Sequence, residues 1–157
     1  MIDTLKKAFD MLPAKMNSHD AAQNVLAICY QESKLYQRRQ MGNGPARGLA
    51  QFEKGNPTSK GGVWGVMNHY IVGPIAKDVC EKLGVKPDVD TVYNELEHND
   101  VLALALACLL LWTSPAKLPT TQQAGWDVYL KTWRPGKPRP EEWPQSWAAA
   151  RGLVDGQ

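Results

Sequence analysis

Among the ionisable residues of this chain, Glu32 is the one whose spacing suggests chemistry. Ala21, Val25 and Ile28 precede it at helical intervals of four and three, and Glu32 lies four residues further on, so its carboxyl falls in line with an apolar stripe. Desolvation disfavours a carboxylate there, and the negative pole of a helix C-terminus disfavours it further. The spacing predicts an acid that keeps its proton toward neutral pH, the state from which a general acid works. The plainer alternative is a glutamate that marks a helix end, with its stem over the core and its head in water.

Past this acid, residues 34–57 lose periodicity and gather Gly42, Gly44, Pro45, Gly48, Gly55, Asn56 and Pro57. An irregular loop or small hairpin is expected, and long ordered loops in compact domains usually belong to a binding surface. Gly48 interrupts bulkier neighbours, which predicts a positive φ or a close backbone approach, the alternative being a plain turn.

The elements that must position these residues read as helices. Ser18 caps the helix that ends at Glu32, whose other face, Asp20, Gln23, Asn24 and Gln31, is polar as on a surface helix packed on one side. Asp3 caps a short helix to about Leu12, closed by Pro13. Ser59 starts a helix through Val63, Trp64, Met67, Tyr70 and Ile71, broken at Gly73-Pro74 and continued from Ile75 to Leu83, where Gly84 stops it. Asp90 caps the segment from Val92 to Glu97, and Asn99 or Asp100 opens an unbroken apolar run from Val101 to Trp112. That run spans about 18 Å against the roughly 30 Å of a bilayer core, so it is a buried helix about which the others wrap. Gln122 to Trp133 is amphipathic, residues 133–140 form a proline-rich extended strap, and Trp143 and Trp147 anchor a last helix to about Leu153. With neither repeat nor linker, residues 1–157 read as one mainly α domain.

Composition narrows the function classes. A net charge of +2 and a pI near 8.4, with basic residues spread out, call for no nucleic-acid partner. Six tryptophans against two phenylalanines supply flat apolar faces that suit core filling and sugar stacking alike. Cys29, Cys80 and Cys108 lack Cys-x-x-Cys spacing and read as reduced core thiols, while His19, His69 and His98 lack metal-ligand spacing. No metal, cofactor or stable membrane insertion is expected. Residues 1–13 build no secretory apolar core, so no signal peptide is expected either.

Glu32-Ser33 at a helix end, followed by Gly48-Leu49-Ala50-Gln51, resembles the Glu-Ser … Gly-Leu-Met-Gln signature of soluble lytic transglycosylases and goose-type lysozymes. The phrase from Tyr129 to Pro138 is also similar to the C-terminal part of lysozyme-like proteins encoded by bacteriophages. The resemblance covers residues 18–57 and extends to the rest by helical character. It implies a lysozyme-like fold, with helices around a central apolar helix and the irregular loop beside a cleft. The implied activity is cleavage of the MurNAc-β-1,4-GlcNAc bond of bacterial peptidoglycan by a monomer that reaches the wall at lysis or with the virion. Two departures stand out: Ala50 replaces the motif's methionine, and the family's later Ala-x-x-Tyr-Asn-Ala-Gly stretch is absent.

Glu32 would then protonate the bridging oxygen, with Ser33 bonding and orienting it. Gly48, Leu49, Gln51 and Phe52 would contact the sugar. Lytic transglycosylases manage with one acid, which returns as base while the sugar's C6 hydroxyl closes a 1,6-anhydro ring; a hydrolase wants a second carboxylate, for which Glu53 is the candidate in this segment. The tyrosine expected over the acid is open between Tyr129 and Tyr70, with core packing as the alternative for both. The rival to an enzyme is an inert lysozyme-like virion or wall-binding protein, and a third reading is a helical module that binds only protein.

Overall fold

The computed structural model describes residues 1–156, which form a mainly α fold without strands among them. In chain order the helices are α1 (Ile2–Asp10), α2 (His19–Ser33), α3 (Gly62–Met67), α4 (Val72–Leu83), α5 (Val89–Glu95), α6 (Asp100–Leu111), α7 (Gln122–Trp133) and α8 (Trp143–Asp155). Single 3₁₀ turns at Ala14–Met16, Met41–Asn43 and Pro140–Glu142 join them. None of these helices is long and apolar enough to cross a membrane.

α6 is the apolar axis that the sequence predicts. Every residue from Leu102 to Leu111 is buried, and α6 touches α1, α2, α3, α4 and α7. Each leucine removed from water there contributes about 1.5–3 kcal/mol, so the run of them gives neighbouring helices a common surface to cover. Asn99, not Asp100, starts it, accepting the Leu102 N–H at 3.0 Å.

The expectation for α2 needs correction. Gln23, Asn24 and Gln31 are buried rather than facing solvent, because α8 packs along that side of the helix. Their amide nitrogens are matched to backbone that arrives from far along the chain: Gln23 Nε2 donates to Trp147 O, Asn24 Nδ2 to Pro119 O, and Gln31 Nε2 to Arg139 O, while Gln23 Oε1 and Asn24 Oδ1 make no hydrogen bond among the described residues. Polar side chains on a helix thus signal surface only when no partner backbone comes to meet them. The Ser18 cap is present, its Oγ accepting the Ala21 N–H at 3.0 Å.

Smaller differences concern helix starts. α1 begins at Ile2 with Asp3 inside its first turn rather than capping it. Asp88, not Asp90, caps α5, through the Thr91 N–H at 2.8 Å. Ser59 lies in a turn closed by Asn56 Oδ1, α3 starts only at Gly62, and the break before α4 falls at residues 68–71. Gly73-Pro74 sits in the first turn of α4, where proline's missing N–H leaves no bond unmade.

Candidate functional site

Glu32 occupies the last turn of α2, one residue before the helix ends. Burial pushes its carboxyl above the ordinary carboxylate range; the Tyr129 hydrogen bond and then the charge of Arg139 oppose this, and the charge of Glu53 adds to it. Tyr129 donates its O–H to Glu32 Oε1 at 2.7 Å. No ion pair forms at Glu32 among the described residues. Oε2 neither makes a hydrogen bond there nor is sealed from solvent. One oxygen of the acid is therefore anchored, and the other has no protein partner and is not closed off from solvent.

Tyr129 comes from α7 and is only 3% exposed. The Trp143 ring stacks on it at 5.5 Å with planes 4° apart, and Trp126 and Trp133 pack against it at tilted angles, 5.4 and 6.4 Å away. Burial, reinforced by the Glu32 charge, pushes the phenol up, so it stays a donor. Tyr70, the other tyrosine considered from sequence, is 85% exposed at the turn before α4.

A cation stands beside the acid without touching it. Arg139, on the strap between α7 and α8, donates from Nη2 to Gln31 O at 3.0 Å and pairs through Nε with Glu142 Oε2 at 3.1 Å. Glu142 also holds Lys34 Nζ at 3.0 Å. This chain of charges fastens the strap across the C-terminal end of α2.

The loop after α2 is wired to the helix end. Ser33 Oγ lies 2.6 Å from Leu49 O and 2.9 Å from Cys29 O and accepts the Leu35 N–H, so it does not bond Glu32 as the resemblance implied. Its position at the helix end turns the hydroxyl toward the loop backbone. Gly48 has φ +78°, and a Cβ there would stand 2.9 Å from Leu96 O; both reasons foreseen for a glycine apply. Leu49 is fully buried. The Ala50 carbonyl accepts the Trp133 indole N–H at 3.0 Å, and Gln51 Nε2 donates to Gly48 O at 3.0 Å.

What this loop presents outward is a groove of about 390 Å³, walled by Gln51, Phe52, Glu53 and Asn56 on one side and by Trp133 and Arg134 on the other. Phe52 is 2% exposed and packs on Trp133 at 6.1 Å, whereas Glu53 is exposed. Glu32 is not on the groove wall; Trp133, one turn beyond Tyr129 on α7, links wall and acid.

Sequence reasoning missed Arg139 and the stacking partner Trp143. The strap and the tryptophan anchor were legible, but no periodicity ties them to a helix that begins at His19. Among the described residues no group of three or more His, Cys, Asp or Glu is gathered as for a metal, and Cys29, just below Glu32, is a buried thiol pushed well up by that burial. No family model, curated protein or solved structure matches the chain.

Proposed function

We propose that the chain cleaves the MurNAc-β-1,4-GlcNAc bond of peptidoglycan, as a lytic transglycosylase or muramidase with a lysozyme-like fold, and that Glu32 is the general acid. The observation that carries this reading is the asymmetric carboxyl: burial favours its neutral form, Tyr129 holds Oε1, and Oε2 is left without a protein partner and not sealed from solvent. Because Oε1 is already an acceptor for the phenol, the acidic proton resides on Oε2, where a glycosidic oxygen can approach it.

As the bond breaks, the proton passes to the leaving oxygen and Glu32 becomes a carboxylate. Tyr129 then donates to an anion, a stronger bond than to the neutral acid, and Arg139 lies near enough to stabilise the charge. Glu32 then takes a proton back, from the sugar's own C6 hydroxyl in the transglycosylase reaction. In hydrolysis, Glu53 on the groove would activate water instead. Trp133 offers an indole face for a sugar ring, and Gln51 and Asn56 offer amides for its acetamido group.

One observation favours the alternative of a glycan-binding protein that cuts nothing: Glu32 is absent from the groove wall. The mass spectrum of peptidoglycan digested with wild type and Glu32→Gln decides between them. Wild type is expected to release glycan fragments, one water lighter if their ends are 1,6-anhydro rings, and Glu32→Gln to release none. Wild type that binds peptidoglycan but releases nothing overturns the enzymatic reading.

A further inference from the structure

A second concavity lies at the opposite end of α2. Asp20 sits in the first turn of that helix and Glu32 in its last, about 18 Å apart along the axis at 1.5 Å per residue. Beside Asp20, a cavity of about 430 Å³ is walled by Leu111 and Trp112 at the end of α6 and by Ser114, Lys117 and Leu118 of the loop to α7. That volume is in the range of small-molecule sites.

Two polar atoms of residues lining this wall lack partners. Trp112 Nε1 and Ser114 Oγ are both buried, and neither makes a hydrogen bond among the described residues. Buried donors are nearly always satisfied, because desolvation without a replacement bond is unfavourable. Two on one cavity wall point to an acceptor brought from outside. Asp20 and Lys117 supply opposite charges, and neither is in an ion pair among the described residues. The two leucines and the Trp112 ring make the remainder apolar.

We infer that this cavity binds an apolar α-amino acid. The indole N–H, the Ser114 hydroxyl and the Lys117 ammonium provide three donors for one carboxylate. Asp20 accepts the α-ammonium, and Leu111 and Leu118 take an aliphatic side chain. A simple carboxylic acid leaves Asp20 facing an anion, and a simple amine leaves both orphaned donors as they are. A zwitterion on one carbon satisfies both signs. Both atoms are closed off from solvent although their residues line the cavity, so binding requires the Ser114–Leu118 loop to yield as the carboxylate enters, a movement offset by satisfying those donors.

The test is a titration of the full chain with L-leucine, L-leucinamide and N-acetyl-L-leucine. It is followed by NMR through the indole N–H of Trp112, identified by its loss in Trp112→Phe. Leucine is expected to shift that resonance saturably, with the amide and the acetyl derivative about tenfold weaker or worse. Ser114→Ala and the exposed-site variant Lys117→Ala should each weaken leucine about tenfold, while Glu32→Gln titrates like wild type. No saturable shift up to roughly 10 mM leucine, or equal affinity for the three probes, overturns the assignment. A Glu32→Gln chain that still binds leucine separates this site from the glycan reading, which it does not rest on.

Discussion

Tyr129 and Glu32 act on each other in opposite senses across the 2.7 Å hydrogen bond that joins α7 to the end of α2. The carboxylate helps keep the phenol protonated, and the phenol favours the carboxylate. At Glu32 burial outweighs the phenol, so the acid stays shifted upward. Tyr129→Phe removes an influence that lowers Glu32, so its carboxyl should rise further. A general acid works only while protonated; the alkaline fall of activity should therefore move to higher pH in the variant. Profiles of kcat/KM against pH check this, and a fall at lower pH than in wild type contradicts it. The lost bond to a charged partner should also cost about 1.5–3 kcal/mol in urea unfolding where Glu32 is ionised.

Glu32→Gln should reduce glycan cleavage by about 10²–10⁴-fold, the usual contribution of a positioned acid. Its stability carries a separate signature. Because the folded-state affinity of Glu32 for its proton is raised, the stabilisation from that proton is complete below the unfolded value and disappears as pH rises through the folded one. Wild type should lose stability across that window and Glu32→Gln, with no proton to lose, should not. At neutral pH the inactive variant is expected to be the more stable chain, as is common where a site's chemistry works against the fold. Urea midpoints between about pH 4 and pH 8 give the comparison. A more stable wild type at neutral pH would mean that the acid is not held neutral.

The contrast between α2 and α6 shows what the sequence carries and what it does not. The unbroken apolar run of α6 can be satisfied only in a core, so its place was legible. On α2 the polar residues Gln23, Asn24 and Gln31 look solvent-facing until α8, the loop between α6 and α7, and the strap deliver carbonyls to them, a long-range event that no local period records. The same limit applies to the site. Glu32 and Gly48 announce themselves by spacing and residue type, because each has a local physical reason to be where it is. Arg139 and Trp143 gain their roles only from the path of the strap, and the choice of Tyr129 over Tyr70 beside the acid follows from the docking of α7.

Gly48→Ala tests the loop backbone directly. The substitution places a side chain at φ +78° and a Cβ 2.9 Å from the Leu96 carbonyl oxygen, which belongs to backbone and cannot swing away. Strain at a left-handed position together with that clash should destabilise the fold by about 1–3 kcal/mol or more, read as a lower urea midpoint at unchanged slope. An alanine variant as stable as wild type would show that the loop can move off Leu96, and the groove wall formed by Gln51 to Glu53 would then be free to shift as well.

Ser33→Ala separates a structural role from a chemical one at the residue next to the acid. Ser33 is 3% exposed and its hydroxyl bonds Leu49 O at 2.6 Å and Cys29 O at 2.9 Å, with no bond to the Glu32 carboxyl. Losing it leaves a buried carbonyl short of its donor, at a cost of about 1–3 kcal/mol in unfolding. Leu49 leads through Ala50 into the groove wall, so a loosened loop should raise KM more than it lowers kcat. The pH at which activity falls should stay where wild type has it, since neither the Tyr129 bond nor the burial of Glu32 is altered. A displacement like that of Tyr129→Phe would instead place the Ser33 hydroxyl on the acid during turnover and reassign it from holding the loop to setting the proton affinity of Glu32.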